Sequence, residues 1–225
     1  MPAAARNFSW SYSALDAYEN CPRKYWASYV ARLPETKMKT GAEQSGINEH
    51  KAFEDYLTRG VQLPMQLSNW KPVADKLLLA PGQRYVEHEM ALDGNMQPCE
   101  WRDWDRAWLR AKLDVLVVNG SRAAYVDWKQ GKFRPSNQQI KLSGLMVFMH
   151  YPAVETFNGL LAFVYQNRTH PYSITRADAP ALWNEFLPIV RRMQTAWSTG
   201  DFPATPNPLC GWCPYKACPH NTSRS

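Results

Sequence analysis

Two hydrophobic periods take turns along the chain. Between residues 11 and 26, Leu15, Tyr18 and Trp26 recur at helical spacing, and Ser11 or Ser13 can cap the first turn. A second helical pattern covers residues 48–58, with Phe53, Tyr56 and Leu57 on one face. Residues 61–72 carry Pro64 and Pro72 and read as a loop, before a short helix over 73–79. From Tyr85 the period shortens to that of strands, which the pattern predicts over 84–92, 107–118 and 122–129. Asn119-Gly120 separates the last two, and both residues tolerate the positive φ that tight hairpin turns demand. Helix returns over 138–150 and stops at Pro152; 159–166 reads as a buried strand and 177–199 as a long helix. The order predicts a mixed α/β domain with helical covering segments, a single domain over 1–225 with its core over about 46–170.

Composition changes this picture little. Apolar residues make up 45% and charged residues 20%, ordinary values for a folded chain of 225 residues. Ten Trp and eleven Tyr belong mostly to the core, with a minority available to stack on bases. A formal charge of +6 suits a polyanionic partner without requiring one. No run approaches the roughly 18 apolar residues of a membrane span, and residues 1–13 lack an apolar leader behind a charged one. The chain therefore reads as cytoplasmic, with no membrane partner. In a reducing compartment its five cysteines read as metal ligands rather than disulfides. Cys210, Cys213 and Cys218 crowd one end, Cys21 lies near the other, and Cys99 stands alone as a plain thiol.

Candidate chemistry concentrates in the predicted hairpin. Strand side chains alternate faces, so Asp127 and Lys129 share one. A connection of two or four residues puts Asp114 on that face as well, and a four-residue loop from Asn119 to Arg122 sets it directly across from Asp127. Converging carboxylates suit Mg²⁺ or Mn²⁺, which prefer hard oxygen ligands. The aspartates lie within apolar β-runs, where unpaired charge is costly, and this argues against an ordinary solvated strand end.

Asp114 followed by Val126-Asp127-Trp128-Lys129-Gln130-Gly131-Lys132 resembles the D…(D/E)-x-K-x-G-K pattern of RecB-like and Cas4-like nucleases of the PD-(D/E)XK superfamily. Gly46-x-x-x-His50 matches that family's G-x-x-x-H motif, which implies that His50 is a metal ligand. Glu89 takes the place of the acidic residue before the first catalytic strand, with Glu87 two residues away on the same face as the alternative. Gln139 matches the Gln of Q-x-x-x-Y, although Ser143 stands where the family has Tyr. The resemblance implies a restriction-endonuclease-like mixed central sheet flanked by helices. It also implies that His50, Asp114, Asp127 and the Trp128 main-chain carbonyl bind metal, while Lys129 assists the attacking water.

Ser13-x-Leu15…Cys21-Pro22-x-Lys24-Tyr25 and Cys210-x-x-Cys213-x-x-x-x-Cys218-Pro219 resemble the two ends of the same family. There, one upstream and three downstream cysteines hold a [4Fe–4S] cluster, implying that such a cluster joins residues 11–30 to 200–220. A Cys₄ zinc site has the same ligand set and remains the rival, although Cys21 lacks the nearby partner of a zinc knuckle. Lys132, Arg134 and Lys141 near the acidic site, with Arg23 and Lys24 beside Cys21, are candidate phosphate contacts. The expected function is a metal-dependent DNA exonuclease acting on single strands, flaps or free ends in recombination, repair or CRISPR adaptation. No ATP-binding loop is present, so a helicase, recombinase or integrase partner is a further expectation. The competing readings are a DNA-binding accessory subunit without catalysis and a zinc-stabilised interaction module.

Overall fold

A computed structural model of the chain describes residues 7–35 and 48–222. Its centre is one mixed sheet of six strands: β1 (Gln83–Asp93), β2 (Pro98–Cys99), β3 (Ala107–Asn119), β4 (Arg122–Lys129), β5 (Thr156–Phe163) and β6 (Arg168–Thr175). Their spatial order is β2-β1-β3-β4-β5-β6. Only β4 and β5 run parallel; the other neighbours are antiparallel. A parallel pair needs a crossover, and the helix Asn137–His150 supplies it. The remaining helices are Tyr12–Asn20 (α1), Pro22–Tyr25 (α2), Glu49–Arg59 (α3), Lys71–Leu79 (α4) and Ala179–Thr199 (α6), so the crossover helix is α5. Among the described residues no helix is long and apolar enough to cross a membrane.

The sheet is covered on both faces within one compact unit, which holds residues 48–183. On one face Phe53, Tyr56 and Leu57 of α3 and Ala74 and Leu77 of α4 bury Val115, Val117, Val126 and Trp128. Each such large side chain removed from water contributes roughly 1.5–3 kcal/mol. On the other face α5 presses against β5 and β6 closely enough that two glycines are required. A Cβ at Gly144 would lie 2.4 Å from Ile174 Cδ1, and one at Gly159 would lie 2.2 Å from Ile140 Cγ2.

Residues 8–35 and 184–222 form a second compact unit. Ser11 Oγ accepts from the Ala14 N–H at 3.3 Å and caps α1. Tyr25 is buried among Tyr18, Tyr29 and Phe202, with ring centroids at 5.6, 5.4 and 6.0 Å. Residues 203–205 run beside Cys21: Arg23 donates its N–H to the Pro203 carbonyl at 3.2 Å.

Several elements depart from the sequence pattern for identifiable reasons. The first helix breaks at Cys21, which is extended (φ −168°, ψ 111°) because a residue before proline is driven out of the helical region. Residues 61–72 are not all loop. A 3₁₀ helix covers Met65–Trp70 and α4 starts at Lys71, since Pro72 in a first turn lacks only an N–H the helix does not use. The strand expected over 159–166 starts at Thr156 and gives way at Val164 to a 3₁₀ turn. β6 follows it as an edge strand, a position that tolerates Pro171.

Candidate active site

The β3–β4 hairpin closes through Gly120 and Ser121, with Gly120 at φ 55°. Its ladder runs from Asn119 opposite Arg122 to Val115 opposite Val126. One step further, in the same register, Asp114 faces Asp127. There the Trp128 N–H donates to Asp114 Oδ2 at 2.8 Å, so a carboxylate takes the place of a ladder carbonyl. Asp114 thereby becomes fixed by the sheet itself rather than by a flexible side-chain contact.

Asp127 is only 4% exposed and sits in a full set of polar contacts. Its Oδ1 accepts from the Tyr125 hydroxyl at 2.8 Å and from Gln139 Nε2 at 2.6 Å, while Oδ2 lies 2.7 Å from Lys129 Nζ. Lys129 Nζ also donates to Gln139 Oε1 at 2.6 Å, which fixes the orientation of that amide. Gln139 owes its place to the first turn of α5, whose cap Ser136 accepts from the Gln138 N–H at 3.3 Å. Burial pushes the Asp127 carboxyl up, and the Lys129 charge pulls it back. Burial also pushes the Tyr125 phenol far up, so it remains a donor. Ser143, in the place of the family's Tyr, is buried and hydrogen-bonds Tyr125.

A second cluster shares Asp114. His50 Nδ1 lies 3.1 Å from Asp114 Oδ2, and ligand atoms of His50, Glu87 and Asp114 all fall within 4.8 Å of one another. The hydrogen bond to Asp114 raises the His50 pKa against the opposing effect of burial. Asn48 caps α3 by accepting from the Lys51 N–H at 3.0 Å, which sets His50 in the first turn. Phe53, one turn on, stacks on Trp128 with centroids 3.8 Å apart and rings 10° from parallel. That stack ties the helix bearing His50 to the strand bearing Asp127.

The structure puts Glu87, not Glu89, in this cluster. Parity cannot separate two residues on one face, but register can. Val86 pairs with Val115 and His88 with Leu113, so Glu87 stands across from Asp114, whereas Glu89 pairs with Lys112 and is exposed. Glu87 sits at φ 53°, a conformation costing on the order of 1–3 kcal/mol for a residue with a side chain. Lys112 Nζ lies 2.6 Å from its carboxylate.

Sequence reasoning missed two supports. Tyr125, two residues before Asp127, was discoverable from strand parity. Glu49, 2% exposed, accepts hydrogen bonds from Gln130 and Tyr165. It joins the first turn of α3 to the residue after Lys129 and the turn after β5, contacts far apart in sequence that carry no local signal. Of the expected phosphate contacts, Lys132 and Arg134 are exposed on the loop after Lys129, and Lys141 is half-buried on α5. Gly46 lies outside the described residues.

The remaining expected contacts belong to the second unit. Arg23 lies over the Trp26 ring at 5.3 Å, and Lys24 is exposed beside it. Cys21 Sγ accepts from the Thr205 N–H at 3.4 Å, and Cys210 Sγ from the Asn207 N–H at 3.3 Å. Asn221 ties down the C-terminal loop by donating to the Cys213 and Tyr215 carbonyls at 2.9 and 3.1 Å. Among the described residues the four Sγ atoms supply no group of three within 4.8 Å. Cys99, in β2, is half-buried, and burial pushes its thiol up.

The family model described as the PD-(D/E)XK nuclease superfamily matches residues 9–219. Among solved structures, a "Putative exonuclease" from Eubacterium rectale aligns with a TM-score of 0.57 at 12% identity, covering 96% of this chain and 89% of that one. That likeness speaks for the fold. SSO0001 aligns with a TM-score of 0.45 at 14% identity over 98% of this chain and 90% of its own, too distant to carry an argument. No curated protein matches the chain.

Proposed function

We propose, for a chain that belongs to the PD-(D/E)XK nuclease superfamily, that it is a metal-dependent deoxyribonuclease acting as an exonuclease on single-stranded DNA, flaps or free ends. The observation that carries this reading is the convergence of His50, Glu87, Asp114, Asp127 and Lys129 at the end of one hairpin. The donor set fits Mg²⁺ or Mn²⁺: three carboxylates and one imidazole, with Asp114 and Asp127 both buried. His50, Glu87, Asp114 and Asp127, with the Trp128 carbonyl, would hold the ion. Such an ion activates a water and stabilises charge on a phosphodiester. The chain's own part is positional. Gln139 and Tyr125 hold Asp127, and Lys129 places a positive charge where the pentavalent phosphorus gains negative charge. No reorganisation is then needed as the charge develops.

Cys21, Cys210, Cys213 and Cys218 are proposed to hold a [4Fe–4S] cluster. Main-chain N–H groups donate to the Cys21 and Cys210 sulfurs, and residues 203–205 bring the tail to Cys21. Zinc would use the same four thiolates, and absorption near 400 nm separates the two. The proposed setting is cytoplasmic, in recombination, repair or CRISPR adaptation, with a helicase, recombinase or integrase as partner.

The test is cleavage of 5′- and 3′-labelled single- and double-stranded DNA with Mg²⁺, Mn²⁺ or chelator. Metal-dependent release of end nucleotides, lost in Asp127→Ala and Lys129→Ala, is the expected result. Equal behaviour of wild type and variants would leave only a DNA-binding role.

A further inference from the structure

The two sides of β4 differ sharply in charge at the level of Lys129. On the side of β3, β1 and β2, residues 87–112 hold six carboxylates and four cations. Two of those cations are already paired, Lys112 with Glu87 at 2.6 Å and Arg106 with Asp93 at 3.2 Å. On the side of β5 and β6, residues 129–141 and 164–170 hold five cations and no carboxylate. Lys129 is paired with Asp127 at 2.7 Å and the buried Glu49 reaches in to Gln130 and Tyr165, which leaves the other four cations in excess. A polyanionic strand crossing the sheet meets attraction on one side and net repulsion on the other.

Within the favourable side one cation is held in an unusual way. Lys129 pairs with Phe163 across β4 and β5, and Phe163 pairs with Arg168 across β5 and β6. Residues at one level of a sheet project from one face, so Arg168 stands on the catalytic face two strand spacings from Lys129, about 10 Å. Phe133, from the loop after Lys129, packs edge-on against Phe163 with centroids 4.8 Å apart. The Arg168 guanidinium lies over the Phe133 ring at 3.6 Å. Among the described residues no carboxylate pairs with it. A stacked guanidinium keeps its N–H edge free and loses little freedom when it meets a phosphate.

We propose that Arg168, laid flat on Phe133, is a phosphate-positioning residue of this site, and that the DNA strand runs from Lys129 across β5 and β6 rather than across β1 and β2. The inference rests on the nuclease reading and adds the path of the substrate. Arg168 grips a phosphate next to the one being cleaved, while Lys132 and Arg134, exposed beside it, add looser contacts.

Binding of an end-labelled oligothymidylate in chelator, measured across a salt series, tests this without any need for cleavage. In Arg168→Ala the slope of log affinity against log salt falls in size by about 0.7, one phosphate's share on a single strand. Arg168→Lys restores most of the slope, and Phe133→Leu weakens binding less than Arg168→Ala does. Arg102→Ala, an exposed cation on the opposite side, leaves the slope unchanged. An unchanged slope in Arg168→Ala overturns the proposal. So does an equal change in Arg102→Ala, or a wild type that does not bind the oligonucleotide. A wild type that binds through Arg168 yet cuts nothing with Mg²⁺ or Mn²⁺ would instead sink the nuclease reading and leave the path standing.

Discussion

The acidic site and the cysteine-bearing unit are built on opposite principles. At the acidic site, sheet register places the groups: Asp114 faces Asp127 because the hairpin fixes the pairing, and Glu87 faces Asp114 because β1 does. Each is then held by neighbours within the same unit. The cysteines lie instead on irregular chain: Cys21 at the break between α1 and α2, Cys210 in a 3₁₀ turn over Pro208–Trp212, and Cys213 and Cys218 in the turns that follow it. Their supports are two N–H donors and the Asn221 ties. A register-built site keeps its shape without its ion, whereas a loop-built one draws stability from whatever cross-links it. The first region should therefore fail in activity when altered, and the second in stability.

The largest expected effect is on activity alone. Asp127→Asn should lower kcat by about 10³-fold or more, the scale seen when a preorganised charged group is removed. Its melting temperature should fall by less than that of Cys21→Ser, because an amide fills the same space and Lys129 keeps Gln139 Oε1 as an acceptor. Unfolding curves and initial rates on the same preparation check both halves.

Cys21→Ser should give the reverse pattern. The proposed long-range cross-link would be lost, with a stability cost on the order of 2–5 kcal/mol, as for removal of a long-loop disulfide. Absorption near 400 nm should disappear, while Asp127→Asn keeps it. A Cys21→Ser protein with unaltered melting and unaltered spectrum would break the comparison.

A smaller effect should cross between the two behaviours. Phe53→Leu removes the ring stacked on Trp128 and should cost about 1–2 kcal/mol. Because α3 carries His50, the affinity for Mn²⁺ should weaken as well, which titration calorimetry in the absence of DNA can read. The smallest effect separates two neighbouring carboxylates. Glu87→Gln should weaken Mn²⁺ binding roughly tenfold, and Glu89→Gln should leave it unchanged, since Glu89 pairs with Lys112 and lies outside the cluster.

How much of this was legible beforehand follows the same division. The hairpin and the Asp114–Asp127 facing were readable because strand parity and a two-residue turn are local rules. The α3 and α5 spans were readable within a residue because Phe53, Tyr56 and Leu57 recur at helical spacing and Pro152 stops the second helix. Glu87 was not separable from Glu89, since that choice depends on how β1 registers against β3. Glu49 with Gln130 and Tyr165, and Phe133 with Arg168, join residues distant in sequence, and no local pattern encodes such contacts. β6 was missed because its edge position, Pro171 and mostly polar exposed residues give it none of the apolar run that marked β5.

The central claim is that the hairpin carrying Asp114, Asp127 and Lys129 cuts DNA with a bound divalent ion. Its most direct test is single-turnover cleavage of end-labelled single-stranded DNA by purified wild type and Asp127→Asn, each with Mn²⁺ and with chelator. The account predicts stepwise loss of end nucleotides only for wild type with Mn²⁺. Cleavage by Asp127→Asn at the wild-type rate, or by wild type in chelator, would contradict it.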